Sequence, residues 1–450
     1  MQIPLSTVNI VKTKVDELLT DQDWLGKILS GNFYEFEQLL HKSILSLYDK
    51  ICEELISLVS KTCEFINVQK ELAKELAKEL GLKRLTNRIC TIQLRTGTKI
   101  AYESLYAKQA PDEYVGTRHL SLRWWKSEAG GSPMYKSLSC LFSVLCPSFG
   151  VAKSLLNYQG IGANFDRIRS LSLALAEQVM QDRASIQLAP NETLADKRVV
   201  IAIDGGRSRT RVYEEGQAGR DQKYDTPWRE PKLFVITTAN EKGEVNKEEL
   251  PIYDASFGDD ETFELLAQYL ERLEIHRAKS VQFLGDGAPW IWNRARPMLL
   301  RLGVAAEKII ETLDYYHAME HLHELKVYFD CEESDSVFTH LKVALWKGDI
   351  QQMGQLIKKG ISKVTLDEFN PFKYFWKQRN RIDYQRLKDE NLPCGSGIVE
   401  SGIRRIINLR FKSPSSFWYP ENLEKLIFMR AIALSGRWNI MMNNLFHSPN

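Results

Sequence analysis

Two aspartates sit in the same local setting. Asp204 closes the run Val199-Val200-Ile201-Ala202-Ile203 and precedes Gly205-Gly206, while Asp286 closes Val281-Gln282-Phe283-Leu284-Gly285 and precedes Gly287. A short β-branched or apolar run that ends in Asp-Gly predicts a strand whose carboxylate projects from the sheet edge. The glycine there lets a ligand or another backbone approach closely. A third acid, Glu400, lies one helical turn beyond Gly395-Ser396-Gly397, at the start of a predicted helix. Singly, each feature is ordinary: Asp-Gly usually marks a turn, and a helical glutamate is usually solvated. Together, three converging carboxylates would repel and raise one another's pKa. Hard divalent cations, Mg²⁺ or Mn²⁺, relieve that repulsion and retain waters for a phosphate. Two such ions about 3.5–4 Å apart, held by Asp204, Asp286 and Glu400, activate a water or a 3′-hydroxyl and stabilise the leaving oxygen, which is phosphodiester chemistry.

The surrounding pattern predicts how these acids are carried. Residues 1–85 read as a helical region, with a nearly threefold KELA repeat over Lys70–Leu80 and a helix stop at Gly81. Residues 86–185 read as a two-stranded unit turning at Thr96-Gly97-Thr98, followed by a helix-turn-helix-like pair around Gly160-Ile161-Gly162. Arg167 and Arg169, early in the second helix of that pair, are candidate DNA contacts. The polar stretch 181–198 is the best candidate boundary. Beyond it, strands are expected at Arg198–Ile203, Thr210–Tyr213, Lys232–Thr238, Ser280–Leu284 and Lys308–Leu313, with helices between the later ones. Three hairpin-like strands followed by alternating helix and strand is the order of an RNase H-like fold. The fold class is therefore α/β, a mixed five-stranded sheet flanked by helices, built from 195–316 and 390–440 and interrupted by a helical insertion at 317–389.

Four spaced motifs carry a resemblance. Asp204-Gly-Gly-Arg207, Gly285-Asp286-Gly-Ala-x-Trp290, Asp314-Tyr-Tyr-His317 and Gly395-Ser-Gly-x-Val-Glu400, with Arg410-Phe-Lys412, Trp418 and Met429-Arg430-Ala431 after them, resemble the successive motifs of bacterial insertion-sequence transposases of the Mutator-like superfamily. The resemblance covers roughly residues 195–440. It implies a DNA transposase of the three-carboxylate type, with metal-dependent cleavage at transposon ends and strand transfer into target DNA. Asp204, Asp286 and Glu400 become its catalytic acids, with Asp314, His317 and Arg207 as accessory residues. It also implies double-stranded DNA as partner, a homodimer on DNA, and a cytoplasmic, nucleoid-associated bacterial protein. Some relatives carry a Cys-pair zinc element, which this chain lacks.

Around the third acid basic residues outnumber acidic ones. Arg404, Arg405, Arg410 and Lys412 are expected to meet phosphates, and Trp376 and Trp418 to stack on unpaired bases. The whole chain of 450 residues carries a net charge of only +2, so any basic footprint is local. Its seven cysteines include no C-x-x-C pair, against a zinc ribbon or a disulfide framework. No signal-peptide pattern or apolar run of about 18 residues occurs, and a soluble intracellular protein with no membrane partner is expected. Three rival readings remain. His317-Ala-Met-Glu320-His321 fits the H-x-x-E-H zinc-peptidase signature. Asp204-Gly-Gly-Arg-Ser-Arg-Thr is similar to the phosphate loop of actin-like sugar kinases. The last rival is a catalytically silent, transposase-derived DNA-binding protein.

Overall fold

A computed structural model of the chain describes residues 5–20, 22–80, 85–107, 118–213, 223–329, 334–361, 372–413 and 416–447. The expected helix stop at Gly81 lies outside the described residues. The chain divides into two compact units, Met1–Gln178 and Val179–Asn450.

The first unit opens with helices Leu5–Thr20, Gln22–Leu29, Phe33–Ser60 and Cys63–Leu80. In the last of these, Phe65, Gln69, Ala73 and Leu76 are buried. Their spacing of three and four residues puts them on one helical face, and Lys70, Glu71, Lys74, Glu75 and Lys78 of the KELA repeat are exposed on the other. Strands β1 (Leu85–Gln93) and β2 (Lys99–Ala107) pair antiparallel, as the alternation at 86–106 predicts. Gly97 turns between them at φ +87°, and a Cβ there would fall 2.1 Å from the Gly162 carbonyl oxygen, so only glycine fits. Asp49 accepts bonds from the Thr96 and Thr98 hydroxyls at 2.5 and 2.6 Å, fastening the turn to the long helix. Helices Phe149–Tyr158 and Phe165–Met180 flank Gly160–Gly162. Arg169 is exposed, but Arg167 corrects the expectation of a DNA contact. Its guanidinium turns inward to Gln93 Oε1 (3.3 Å) at the end of β1 and to the carbonyl of Ala129, so two acceptors from the protein take the place of water.

The second unit is mixed α/β. Its five-stranded sheet comprises β3 (Arg198–Gly205), β4 (Pro231–Ala239), β5 (Ile252–Phe257), β6 (Ser280–Gly285) and β7 (Ile309–Leu313), in the order β7-β6-β3-β4-β5. The β6–β7 and β3–β6 pairs are parallel, and β3–β4 and β4–β5 are antiparallel. One strand differs from expectation. Thr210–Tyr213 is not in the sheet but in a hairpin arm beyond the end of β3, and the edge strand is Ile252–Phe257 instead. Asp254 in the middle of Ile252–Phe257 disguises it, because a buried carboxylate is unfavourable in a strand without a partner. The partner is Arg183, whose Nε and Nη2 grip Asp254 Oδ2 and Oδ1 at 2.8 and 2.5 Å while Nη1 reaches Glu424 Oε1 at 2.5 Å. Burial opposes the Arg183 cation, but the Asp254 charge and its bonds outweigh that and raise its pKa. The polar stretch 181–198 thus lies within the second unit, anchored again where Glu192 takes Arg437 in a fork at 2.9 and 2.7 Å.

One sheet face buries Val199, Ile201, Ile203, Phe234 and Phe283 with helix Asp259–Arg272. On the opposite face the glutamate helix Gly397–Gly402 lies close, since a Cβ on Gly402 would fall 2.8 Å from the Tyr253 ring and 3.0 Å from Leu233. Between β7 and that helix run helices Tyr315–Glu324, Ser334–Trp346, Ile350–Gly360, Phe372–Gln378 and Tyr384–Asp389, with a core of their own that includes Leu341, Met353, Phe375 and Tyr384. Among the described residues no helix is long and apolar enough to cross a membrane. Removing one partner of a buried ion pair strands the other charge, so Asp254→Ala is expected to lower unfolding stability by about 3–5 kcal/mol, measured by urea denaturation.

Candidate active site

The register of the parallel strands aligns the acids. Leu284 of β6 pairs with Ala202 of β3 on one side and with Thr312 of β7 on the other. Two residues farther along each strand stand Asp204, Asp286 and Asp314. Parallel strands point the same way, so the three carboxylates leave one sheet edge from adjacent strands, which are spaced about 4.7–4.9 Å apart. The Asp314 N–H donates to the Gly285 carbonyl at 2.8 Å, carrying the register past the end of β7.

Asp314 is fully buried and organises the rest. As N-cap of helix Tyr315–Glu324 it accepts the His317 N–H at 2.8 Å, and its other oxygen accepts the Ser396 N–H. Burial works against its ionisation, but the His317 and Ser396 bonds prevail and hold its pKa at about 2. His317 Nδ1 lies 3.5 Å from Asp314 Oδ1. That contact, opposed by burial and reinforced by the Asp204 and Asp286 charges, raises the imidazole to about 9. At neutral pH the metal-free site therefore holds one cation among its acids.

Asp204 is shifted upward, opposite to Asp314. Burial pushes its carboxyl up to about 6 against the bond from the Gly205 N–H at 2.6 Å, with the Asp286 and Glu400 charges adding to the rise and His317 opposing it. Asp286 is held in place by the Ala288 N–H at 2.8 Å, and its carbonyl by the Trp292 indole N–H at 2.6 Å. Glu400 is exposed on its helix, and the Ser396 hydroxyl donates to its Oε1 at 3.3 Å. The segment leading to it is stitched to the sheet by bonds from Gln282 Nε2 to Pro393 O (2.7 Å) and from Tyr315 N to Cys394 O (3.0 Å). The helix runs on through Arg410, widening into a π-helix at Ile403–Asn408, a distortion frequent at functional sites, before a last α-helical turn at Leu409–Phe411.

Asp204, Asp286 and Glu400 thus come near enough for the charges of Asp286 and Glu400 to act on Asp204. The tightest group of potential metal ligands among the described residues is a different one: Asp314, His317 and Glu400, whose ligand atoms all lie within 4.8 Å of one another. The donor set fits a hard cation. Its carboxylate oxygens are the preferred ligands, and the charges of Asp286 and Glu400 that add to the rise of Asp204 are what a divalent charge relieves. A protonated His317 has no lone pair to give, so it serves as a counter-charge until it loses its proton. His321 is not in that group. Its ring stacks 4.0 Å from Tyr374 and its Nδ1 lies 3.1 Å from Glu324, so the H-x-x-E-H motif lacks its second ligand here.

Of the expected DNA contacts, Arg207, Arg404, Arg405 and Lys412 are exposed. Arg410 corrects the expectation: it is buried, its guanidinium 4.9 Å above the Trp418 ring, because that aromatic wall shelters the cation from solvent. Trp376 is half exposed. Sequence reasoning missed Tyr374 and Gln378 of helix Phe372–Gln378. Gln378 Nε2 donates to the Gly287 carbonyl at 3.0 Å, and a Cβ on Gly287 would strike the Tyr374 ring at 2.4 Å. The Tyr374 hydroxyl is buried without a hydrogen-bond partner among the described residues. Neither residue carries a local signal, since their role depends on docking from a distant part of the chain. In comparisons with family models, curated proteins and solved structures, nothing matches this chain.

Two outcomes follow from the electrostatics. His317 is raised above its ordinary 6.5, so its contribution to stability is complete below that value and is lost as pH rises through about 9. Asp314→Asn should return the imidazole towards 6.5, read from its ring-proton chemical shift, and flatten the loss of stability over that window. Second, Mn²⁺ at about 100 times its Kd should stabilise the fold by about 2.7 kcal/mol, and Asp204→Asn or Glu400→Gln should abolish most of the resulting Tm shift.

Proposed function

We propose that the second unit is an RNase H-like catalytic domain and that the chain is a DNA transposase, cutting at the ends of its element and joining the freed 3′ ends to target DNA. The observation that carries this reading is the row of Asp204, Asp286 and Asp314 on one sheet edge with Glu400 brought to it from a late helix. The strand order supports it too, with an antiparallel β3-β4-β5 meander extended by parallel β6 and β7, as in RNase H-like sheets. Mg²⁺ or Mn²⁺, as a pair of ions held by Asp204, Asp286 and Glu400, would supply the Lewis acidity that activates a water or 3′-hydroxyl and neutralises the leaving oxygen.

The chain's own residues do the rest. Asp314 holds His317 charged and fixes the loop before Glu400, so it is a positioning residue. His317 sets a positive charge beside the acids, where an incoming phosphate would otherwise meet only negative ones. Arg207, Arg404, Arg405 and Lys412 are exposed to take flanking phosphates of a duplex. A homodimer would bring two element ends together in the bacterial cytoplasm.

The test is incubation of purified protein with its element ends, Mg²⁺ and a plasmid target. Joined products are expected. Asp204→Asn, Asp286→Asn and Glu400→Gln should each reduce strand cleavage by about 10²-fold or more while DNA binding persists. Combining them should add little, because the acids act as a unit. Full cleavage by Asp286→Asn, or peptide hydrolysis with stoichiometric zinc, would refute the proposal.

A further inference from the structure

Directly after Asp204 the chain leaves the sheet as a two-stranded arm. Ser208 and Arg209 pair with Arg229 and Trp228, and Val212 and Tyr213 pair with Asp225 and Tyr224. Side chains alternate between the faces of a strand, so Arg209, Arg211 and Tyr213 share one face with Trp228 and Tyr224, while Asp225 falls on the other. The ring contacts agree. The Arg209 guanidinium lies 4.8 Å from the Trp228 ring centroid and that of Arg211 lies 4.4 Å from Tyr224. The arm is pinned along one edge, with Arg211 N donating to Trp418 O (2.8 Å), Trp418 N to Arg209 O (3.2 Å), and Tyr419 stacked 5.8 Å from Tyr213. That face is open at Arg209, which is exposed, and at Trp228 and Tyr224, 50% and 42% exposed, while Arg211 is half-buried and donates from Nη1 to the Tyr213 hydroxyl at 3.2 Å.

Cations alternating with half-exposed rings match the two surfaces of a nucleic-acid strand whose bases are unpaired. The guanidinium groups meet the phosphates and the free ring faces meet the bases. Bases within a duplex are already stacked on one another, so open rings gain nothing from them. Successive arginines two residues apart are about 6.6–6.8 Å apart along the strand, a spacing that follows a backbone rather than a single anion. We propose that this arm is a track for the unpaired DNA strand running away from the acid site, which would hold a frayed element end while its phosphodiester lies at Asp204. This rests on the phosphodiester reading of that site.

Binding is measured by fluorescence anisotropy with the full-length chain, in a chelator so that nothing is cut, using a single strand, its duplex and the same sequence as RNA over a range of salt. Arg209→Glu should weaken single-strand binding about tenfold and reduce the slope against log salt by about 0.7. Trp228→Ala should weaken single-strand binding roughly 5–100-fold and leave duplex binding nearly unchanged. Tyr224→Ala provides a second variant on the same face should Arg209→Glu fail to fold, as judged by thermal melting. Folded variants that keep wild-type affinity and slope would overturn the proposal, as would equal losses on duplex and single strand, or tighter binding of RNA than of DNA. Lys279→Glu, an exposed charge reversal just before β6 and at its far end from Asp286, serves as control and should bind like wild type. Arm-dependent binding by a protein that never cleaves would sink the catalytic reading alone, and cleavage with arm-independent binding would sink the arm alone.

Discussion

A buried carboxylate that grips two main-chain N–H groups from separate parts of the chain holds the acid site together. Asp314 ends β7, caps the helix that presents His317, and binds Ser396 just before the glutamate helix. A hydrogen bond to a charged group contributes about 1.5–3 kcal/mol, enough to set the conformation of a short glycine-rich segment. Gly395 belongs to this contact: a Cβ there would crowd the Tyr316 ring at 3.0 Å and stand 3.6 Å from Asp314 Oδ2. Because one carboxylate positions both His317 and the approach to Glu400, the cation and the third acid arrive together.

Much of this site was legible in the sequence, and the reason is local. A strand ending in Asp-Gly and a Gly-Ser-Gly helix start are short-range patterns, so Asp204, Asp286 and Glu400 could be picked out singly. The equivalence of Asp314 to the two other aspartates was not, because it rests on register. Only when β3, β6 and β7 are known neighbours do Ala202, Leu284 and Thr312 form one row with the three aspartates two residues beyond it. Arg410 and Arg167 were misread for a related reason. A charged residue reads as solvated until Trp418, or the carbonyl of Ala129, is found beside it.

The misplaced strand shows the same limit from the other side. Residues 199–203 of β3 are buried on both faces, as the unbroken apolar run suggests. Thr210–Tyr213 alternates as well as any strand, yet it carries Arg211 and follows Arg209, and the two-sided sheet has no site for cations on successive alternate positions. The arm accommodates them because Arg209 meets solvent and Arg211 packs over the Tyr224 ring. Conversely, Ile252–Phe257 joins the sheet despite Asp254 because Arg183 supplies the countercharge from outside the strand.

Two proton affinities within one cluster are raised together, Asp204 first by burial and His317 first by its contact with Asp314. Neighbouring acid charges add to both shifts, which bring Asp204 to about 6 and His317 to about 9. A fold selected for stability alone would replace one of those acids. This one keeps them and secures the surrounding backbone instead, with Asp314 and Ser396 on one side and Gln378 at Gly287 on the other. The rigid frame is thus what allows an electrostatically unfavourable centre to persist, with its acids held at charges that a hard cation would neutralise.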